Sequence, residues 1–280
     1  MKLDESCILI TGGGGGIATA IARELLTAGA AVMLADRDSA ALERAKAALD
    51  GGDRVTTVVA DLLKPADLDR LVVQAQVWHG GINVLVNAAG VNHFGLFDEQ
   101  SPQSIEQTMA INVTAPLLLC QRLLPHLRQQ PSASILNIGS AFGSIGYPGY
   151  AAYCASKFAM RGFTEALRRE LADTSVSCQC LAPRATRTGI NSSAVDAMNE
   201  ELGNAVDSPE VVAHAVRVSL EKDRGFAVLG WPEKLFARVN GLLPGLVESA
   251  LVKQLPVIKR YARGGAAPAI PDKAMRRTTS

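Results

Sequence analysis

"TGGGGGIA", residues 11–18, sets five consecutive glycines between a short apolar run and a helical pattern. Glycine loosens the backbone and loses more conformational freedom on folding than any other residue. A run of five is therefore either a flexible linker or a place where backbone must approach something closely. The flanks decide. Before it, Cys7-Ile8-Leu9-Ile10 reads as a buried strand; after it, Ile17, Ala20, Ile21, Leu25 and Leu26 recur at helical spacing. Strand, tight glycine turn and helix make a phosphate-binding unit, in which backbone N–H groups and the helix N-terminus hold a pyrophosphate.

The rest of the chain extends that unit. Strands are predicted at 7–10, 31–35, 55–59, 83–86, 134–138, 175–180 and 226–229, with helical patterns between them. Ser101-Pro102 and Ser208-Pro209 each read as an N-cap followed by proline at the first helical position. Such alternation predicts an α/β fold, a doubly wound parallel sheet of about seven strands with helices on both faces, and ligands bound beyond the carboxyl ends of the strands.

The 280 residues suffice for one large domain with a sizeable core. A net charge of +1 gives no field that points to nucleic acid. "MKLDESC" enters the first strand at once, which leaves no room for a leader, and no apolar stretch is long enough to span a bilayer. The five scattered cysteines have no metal-site spacing, so they read as reduced core thiols and no metal is expected. Together these features point to the cytoplasm.

Several polar residues fall where such a fold would use them. Asp36 ends the second strand, where a carboxylate accepts hydrogen bonds from an adenosine ribose. "YCASK" (153–157) sets Tyr153 and Lys157 one helical turn apart on one face. Ser140 ends the strand "NIGS", Asn112 lies in the preceding helical segment, and "VNAAG" (86–90) follows the fourth strand. Moving a hydride to or from a carbinol carbon requires moving a proton at its oxygen. An unperturbed tyrosine, with a pKa of about 10, is too weakly acidic for that work at neutral pH unless a cation favours its phenolate. Tyr153 is then the candidate general acid/base and Lys157 its cation. Taken singly, each residue has an ordinary structural reading as a surface pair, cap or turn.

The ordered set of motifs, from about residue 6 to 230, resembles the short-chain dehydrogenase/reductase family. The resemblance implies a Rossmann-type domain and a nicotinamide cofactor. The family's glycine motif falls on Thr11, Gly12, Gly16, Ile17 and Ala18, and Asp61 and Leu62 match the pair that contacts adenine. Asn87, Ala88, Ala89 and Gly90 match the turn after the fourth strand, with Ala88 in place of a second asparagine. Asn112, Ser140, Tyr153 and Lys157 match the catalytic tetrad. Ser140 would orient the substrate oxygen, Lys157 would also bond the cofactor ribose, and Asn112 would hold a water linking Lys157 to solvent. Thr188 matches the threonine that contacts the nicotinamide amide. Two departures stand out: Ala18 replaces the third glycine, and Pro183-Arg184 replaces the usual Pro-Gly.

Gly15 stands where NADP-preferring members often carry a basic residue, and Asp36 would repel a 2′-phosphate, so NAD is expected. Gly13, Gly14 and Gly15 fill variable positions and read as freedom for the loop. Arg37 argues for NADP if it binds a 2′-phosphate; it could equally stack on adenine or lie in solvent. Tyr147 and Tyr150 read as pocket wall or packing, His93 as the edge of the substrate site or a solvated loop residue, and His79, His126 and His214 as surface residues.

The expected activity is NAD(P)-dependent interconversion of an alcohol and a carbonyl compound. An apolar substrate and a 3-oxoacyl thioester both remain open, and the alternative is a non-catalytic dinucleotide-sensing or scaffolding protein. The family implies a homodimer or homotetramer paired through about 102–128 and 150–172. Residues 1–230 are read as the catalytic domain, 231–263 as an amphipathic helical extension of two short helices, and 264–280 as a disordered tail. The apolar stripes of the extension need burial against its own subunit, a neighbour or a membrane surface. Basic residues from Lys259 onward suit anionic lipid, but Pro244, Glu233 and Glu248 interrupt the stripe and favour packing on the protein.

Overall fold

The near-continuous apolar runs become the strands of one parallel sheet. The computed structural model describes residues 1–265, so of the expected tail only Gly264 and Gly265 fall within it. The chain runs β1 (Cys7–Thr11), α1 (Gly16–Thr27), β2 (Ala31–Asp36), α2 (Ser39–Leu49), β3 (Val55–Val59), α3 (Pro65–Val77), β4 (Val84–Asn87), α4 (Pro102–Met109), α5 (Ala115–Leu127), β5 (Ala133–Ile138), α6 (Ala151–Glu170), β6 (Val176–Ala182), α7 (Ser193–Glu201), α8 (Pro209–Lys222), β7 (Phe226–Val228), α9 (Glu233–Leu242) and α10 (Pro244–Ala262). The strand order is β3-β2-β1-β4-β5-β6-β7, every pair parallel. The order reverses between β1 and β4, and that reversal opens the crevice at their carboxyl ends.

Side chains alternate across the sheet, so both faces are covered. Ile8, Ile10, Leu34 and Val86 pack under α1, α2 and α8. Leu9, Met33, Leu85 and Ile135 pack under α3, α5 and α6. All five cysteines are free and buried. Ser101 caps α4 by accepting the Ser104 N–H at 3.2 Å; Pro209 starts α8, although Ser208 makes no side-chain cap. Between α4 and α5 the chain widens into a π turn over Ala110–Thr114 that carries Asn112, the kind of helix distortion often found at functional sites.

Two expectations change. His126 is half-buried, held 2.9 Å from the Ile82 carbonyl, rather than on the surface. His79 and His214 are indeed peripheral, beside the Asp53 carbonyl and Glu24. The glycine run is also less free than its composition suggests. Gly12 has φ +70°, and a Cβ there would sit 2.8 Å from the Ala89 Cα. A Cβ on Gly13 would sit 2.7 Å from that of Leu34, and one on Gly14 only 2.5 Å from that of Ala41. Neighbours fill the space at these supposedly variable positions, so backbone contact rather than mobility requires the glycines.

The extension forms α9 and a 19-residue α10, longer than the second of two short helices. Val247, Ile258 and Tyr261 of α10 are buried. Ile258 and Tyr261 join Tyr150, Cys154, Val195 and Met198 in a third core cluster above the sheet ends.

Replacing Gly14 with alanine should destabilise the protein by about 1–3 kcal/mol, the scale of overpacking a filled site. Urea unfolding checks this; unchanged stability would show that α2 gives way.

Candidate active site

The site is assembled where β1, β4, β5 and β6 end. Thr11 closes β1, and its Oγ1 accepts the backbone N–H groups of Ala88 and Ala89, each at 3.1 Å. The glycine loop and the turn after β4 are thereby held together across the crevice. No side chain caps the first turn of α1, so its leading N–H groups remain for an anion. Ile17 packs at the edge of the core beneath it.

Asp36 sits at the tip of β2, its carboxylate accepting from the Gly14 N–H and the Asp38 N–H, both at 3.1 Å. Those two bonds fix its orientation and leave further lone pairs for a ligand. Arg37 beside it is exposed. After β3, Asp61 Oδ1 accepts the Leu63 N–H at 3.0 Å, and Leu62 packs partly into the core. Asn87 is buried and donates to Asn137 Oδ1 at 2.8 Å.

Asn112 is fully engaged. Its Oδ1 accepts the Val91 N–H at 2.8 Å, while its Nδ2 donates to the Val91 carbonyl and to Ser156 Oγ, both at 3.0 Å. Ser156 Oγ in turn donates to the Tyr153 carbonyl at 2.7 Å. The side chain therefore clamps the segment after Gly90 to α6. The π turn is what aims it there.

Tyr153 and Lys157 project from one face of α6. The Lys157 Nζ donates to the Ile138 carbonyl at 3.0 Å and lies 5.6 Å from the Tyr153 ring centroid. Ser140, at the end of β5, accepts the Phe142 N–H at 3.1 Å on its Oγ. Burial pushes the Tyr153 phenol up to about 12, against a lowering from the neighbouring Ser140 hydroxyl. Burial pulls the Lys157 ammonium down to about 8. Desolvation thus dominates both groups, and the lysine's attraction for the phenolate does not by itself bring the phenol down.

Aromatic rings roof these groups. Phe142 stands edge-on to Tyr153 at 6.4 Å between centroids and stacks on Tyr147 at 4.8 Å, and Phe94 lies 5.0 Å from Tyr150. The extension fastens this roof. Tyr147 Oη donates to Gln254 Oε1 at 3.2 Å, Asn240 Nδ2 donates to the Ser144 carbonyl at 2.9 Å, and Tyr261 Oη donates to Glu201 Oε2 at 2.9 Å. His93 Nδ1 lies 3.1 Å from Thr108 Oγ1. That hydroxyl gives its proton to the Ser104 carbonyl at 2.7 Å, so His93 Nδ1 is the donor and Nε2 is left free.

The loop after β6 completes the crevice. Pro183 is buried. Thr188 Oγ1 is buried without a hydrogen-bond partner, and its methyl lies 3.7 Å from where a Gly16 Cβ would stand. An orphaned hydroxyl on a residue beside an uncapped helix start, together with the oriented Asp36, fits a dinucleotide laid across the crevice. Residue-level reading missed the role of Arg184. Its guanidinium donates to Asp207 at 2.6 Å, to the Trp231 carbonyl at 3.1 Å and to Glu233 at 3.5 Å. It ties this loop to the start of the extension. The sequence signalled only that an arginine stands where the family has glycine.

This is a Rossmann-type dinucleotide fold with a tyrosine–lysine pair at its switch point. The family model for short chain dehydrogenases matches residues 6–199, and the chain belongs to that family, NAD(P)-binding oxidoreductases. It is 34% identical over 214 residues to 2-(S)-hydroxypropyl-CoM dehydrogenase 3 of Xanthobacter autotrophicus, covering 76% of this chain and 81% of that one. It is 35% identical over 191 residues to human dehydrogenase/reductase SDR family member 4, covering 68% and 69%. Among solved structures it is similar to a 3-ketoacyl-(acyl-carrier-protein) reductase from Brucella melitensis complexed with NADH, with a TM-score of 0.74, 27% identity, and 81% and 96% coverage. It shares its fold with a short chain dehydrogenase/reductase from Burkholderia phymatum, with a TM-score of 0.80, 24% identity, and 88% and 96% coverage.

Lys157 yields a pH-dependent prediction. Its pKa falls from 10.5 to about 8 in the fold. Between those values the unfolded chain holds the proton and the folded chain does not, so this group's contribution to stability rises with pH across that window. Below pH 8 the full cost of the buried ammonium is present, about 3 kcal/mol. Lys157→Met removes it, less about 1 kcal/mol for the lost hydrogen bond. The cofactor-free variant should be more stable than wild type at pH 7 by about 1–2 kcal/mol, and that advantage should shrink from pH 8 to 10.5. Cys180 interacts with Lys157, but burial holds its thiol at about 11, so it stays protonated in the folded protein at both pH values below. Parallel urea titrations at pH 7 and 9.5 measure the difference.

Proposed function

We propose that this chain is an NAD-dependent oxidoreductase that interconverts a secondary alcohol and a ketone, with Tyr153 as general acid/base. The observation that carries the reading is the convergence of Ser140, Tyr153 and Lys157 beneath an aromatic roof, beside the unpartnered Thr188 hydroxyl. A bound nicotinamide would exchange the hydride with the carbinol carbon. Tyr153 Oη moves the proton at the substrate oxygen. Burial keeps the phenol protonated, the form that donates during ketone reduction. For alcohol oxidation the Lys157 ammonium, charged below about pH 8, favours the phenolate. Ser140 Oγ, fixed by the Phe142 N–H, orients the same oxygen. Asn112 acts as a positioning residue through Val91 and Ser156.

For the cofactor, the α1 N-terminus with Gly12, Gly15, Gly16 and Ile17 would hold the pyrophosphate, and Thr188 and Pro183 would meet the nicotinamide. Asp61 and Leu62 would border the adenine, and the Asn87–Gly90 turn would pass beneath the dinucleotide. Asp36 supports NAD over NADP because its carboxylate, fixed at the tip of β2, would accept from a free ribose and repel a 2′-phosphate. The roof of Phe94, Phe142, Tyr147 and Tyr150, closed by Ile258 of α10, favours an apolar substrate. Exposed Leu118 on α5 and Phe158 on α6 support pairing through those helices into a homodimer or homotetramer. Five free thiols suit a reducing compartment such as the cytoplasm.

Tyr153→Phe should lower kcat by at least about a hundredfold, the scale of losing a general acid/base, with NAD binding intact by fluorescence titration. Near-normal turnover would overturn the mechanism. Asp36→Ala should raise the KM for NAD and improve kcat/KM for NADP relative to it. A wild-type enzyme that strongly prefers NADPH would show that Arg37 governs the pocket.

A further inference from the structure

None of the ten residues of α9 is buried, although Leu235, Phe236, Val239 and Leu242 are apolar. The exposure continues around the elbow into α10. Leu242 is 82% exposed, Leu243 59% and Leu246 63%, and Val252 lies open one and a half turns further on. A short helix in water draws most of its stability from packing an apolar face, so this surface has a partner to meet. The inward side of α10 is already satisfied: Val247, Ile258 and Tyr261 are buried, and Gln254 holds Tyr147. The uncovered surface is therefore the elbow and the outer side of α9. An apolar groove of about 230 Å³, bordered by Pro148, Pro244, Val247, Leu251 and Leu255, runs inward beside it.

Charge decides what covers it. On the two helices Lys234, Arg238, Lys253 and Lys259 form no ion pair among the described residues. Of the two acids, Glu233 is held by Arg184, which leaves Glu248 alone. A second copy of this chain, paired by a two-fold axis, would set the same cations against one another with one acid per copy to offset them. An anionic bilayer meets both needs: apolar side chains enter the interface while lysine and arginine lie at the headgroups.

We propose that the α9–α10 elbow docks the protein on anionic membrane surfaces, with Leu242, Leu243 and Leu246 entering the interface and Lys234 and Arg238 at the phosphates. The contact is peripheral; no helix among the described residues is long and apolar enough to cross a membrane. It is independent of the catalytic reading, because vesicle binding is measured without turnover.

The test uses the full-length protein, sedimented with vesicles of phosphatidylcholine alone or with about a third phosphatidylglycerol. Wild type should pellet with the anionic vesicles, and less so in high salt. Leu243→Asp/Leu246→Asp should weaken that partitioning at least about tenfold. Lys234→Glu/Arg238→Glu should abolish the preference for phosphatidylglycerol. Both variants should keep the wild-type unfolding midpoint, oligomeric state by light scattering, and activity on a water-soluble ketone. Wild type that stays in the supernatant, or a leucine variant that binds vesicles equally well, overturns the proposal. Dissociation of an oligomer by the leucine variant also overturns it, and assigns the elbow to a subunit interface.

Discussion

One hydroxyl holds the switch point together. Thr11 Oγ1 accepts two consecutive N–H groups, of Ala88 and Ala89, where the strand order reverses. Neighbouring parallel strands that diverge at their ends leave buried backbone donors unpaired, and an unpaired donor costs about 1–3 kcal/mol. The threonine satisfies both at once. Its proximity brings the Gly12 backbone so near Ala89 that only glycine, at positive φ, fits. From the same turn the chain passes Gly90 and Val91 to Asn112, and through Ser156 to Tyr153. Tyr153 and the glycine loop are thus positioned from one anchor.

The fold concentrates its unfavourable electrostatics at that place. Lys157 is one of the few charged side chains taken out of water, and burial lowers its affinity for a proton while raising that of Tyr153. Both effects disfavour the lysine–phenolate ion pair, although the two groups lie within reach of one another. Keeping a phenol and an ammonium side by side in a low-dielectric pocket costs fold stability, because each loses its hydration there. Elsewhere the surface ion pairs are exposed and individually weak.

Much of this was legible in residue order. Near-continuous apolar runs and glycine turns located the strands, because a parallel strand buried on both faces needs apolar residues at nearly every position. The spacing of Tyr153 to Lys157 and the position of Asp36 at a strand end survived into three dimensions, because both are local to one element. What the sequence could not carry was long-range packing. Nothing near Gly14 announces Ala41, 27 residues later, as the neighbour that excludes a side chain. Nothing near Asn112 in the sequence announces Val91 and Ser156 as the groups its side chain joins. The proton on His93 Nδ1 depends on Thr108, fifteen residues away, and on the carbonyl that already takes that hydroxyl's hydrogen.

Arg184 shows how one substitution alters the mechanics of the whole rim. A glycine at this position would leave the loop after β6 free to swing. The arginine instead binds Asp207 beyond α7, and Glu233 and the Trp231 carbonyl at the foot of α9. Its aliphatic part passes so close to Gly230 that a Cβ there would stand 2.8 Å away. The loop carrying Thr188 is therefore braced from both sides. At the far end of α7, Glu201 is held by Arg260 and Tyr261 of α10. Moving α7 and α10 as one body would still part Gln254 from Tyr147 and Asn240 from the Ser144 carbonyl, so α7, the extension and the aromatic roof beside Tyr153 are held together as one unit.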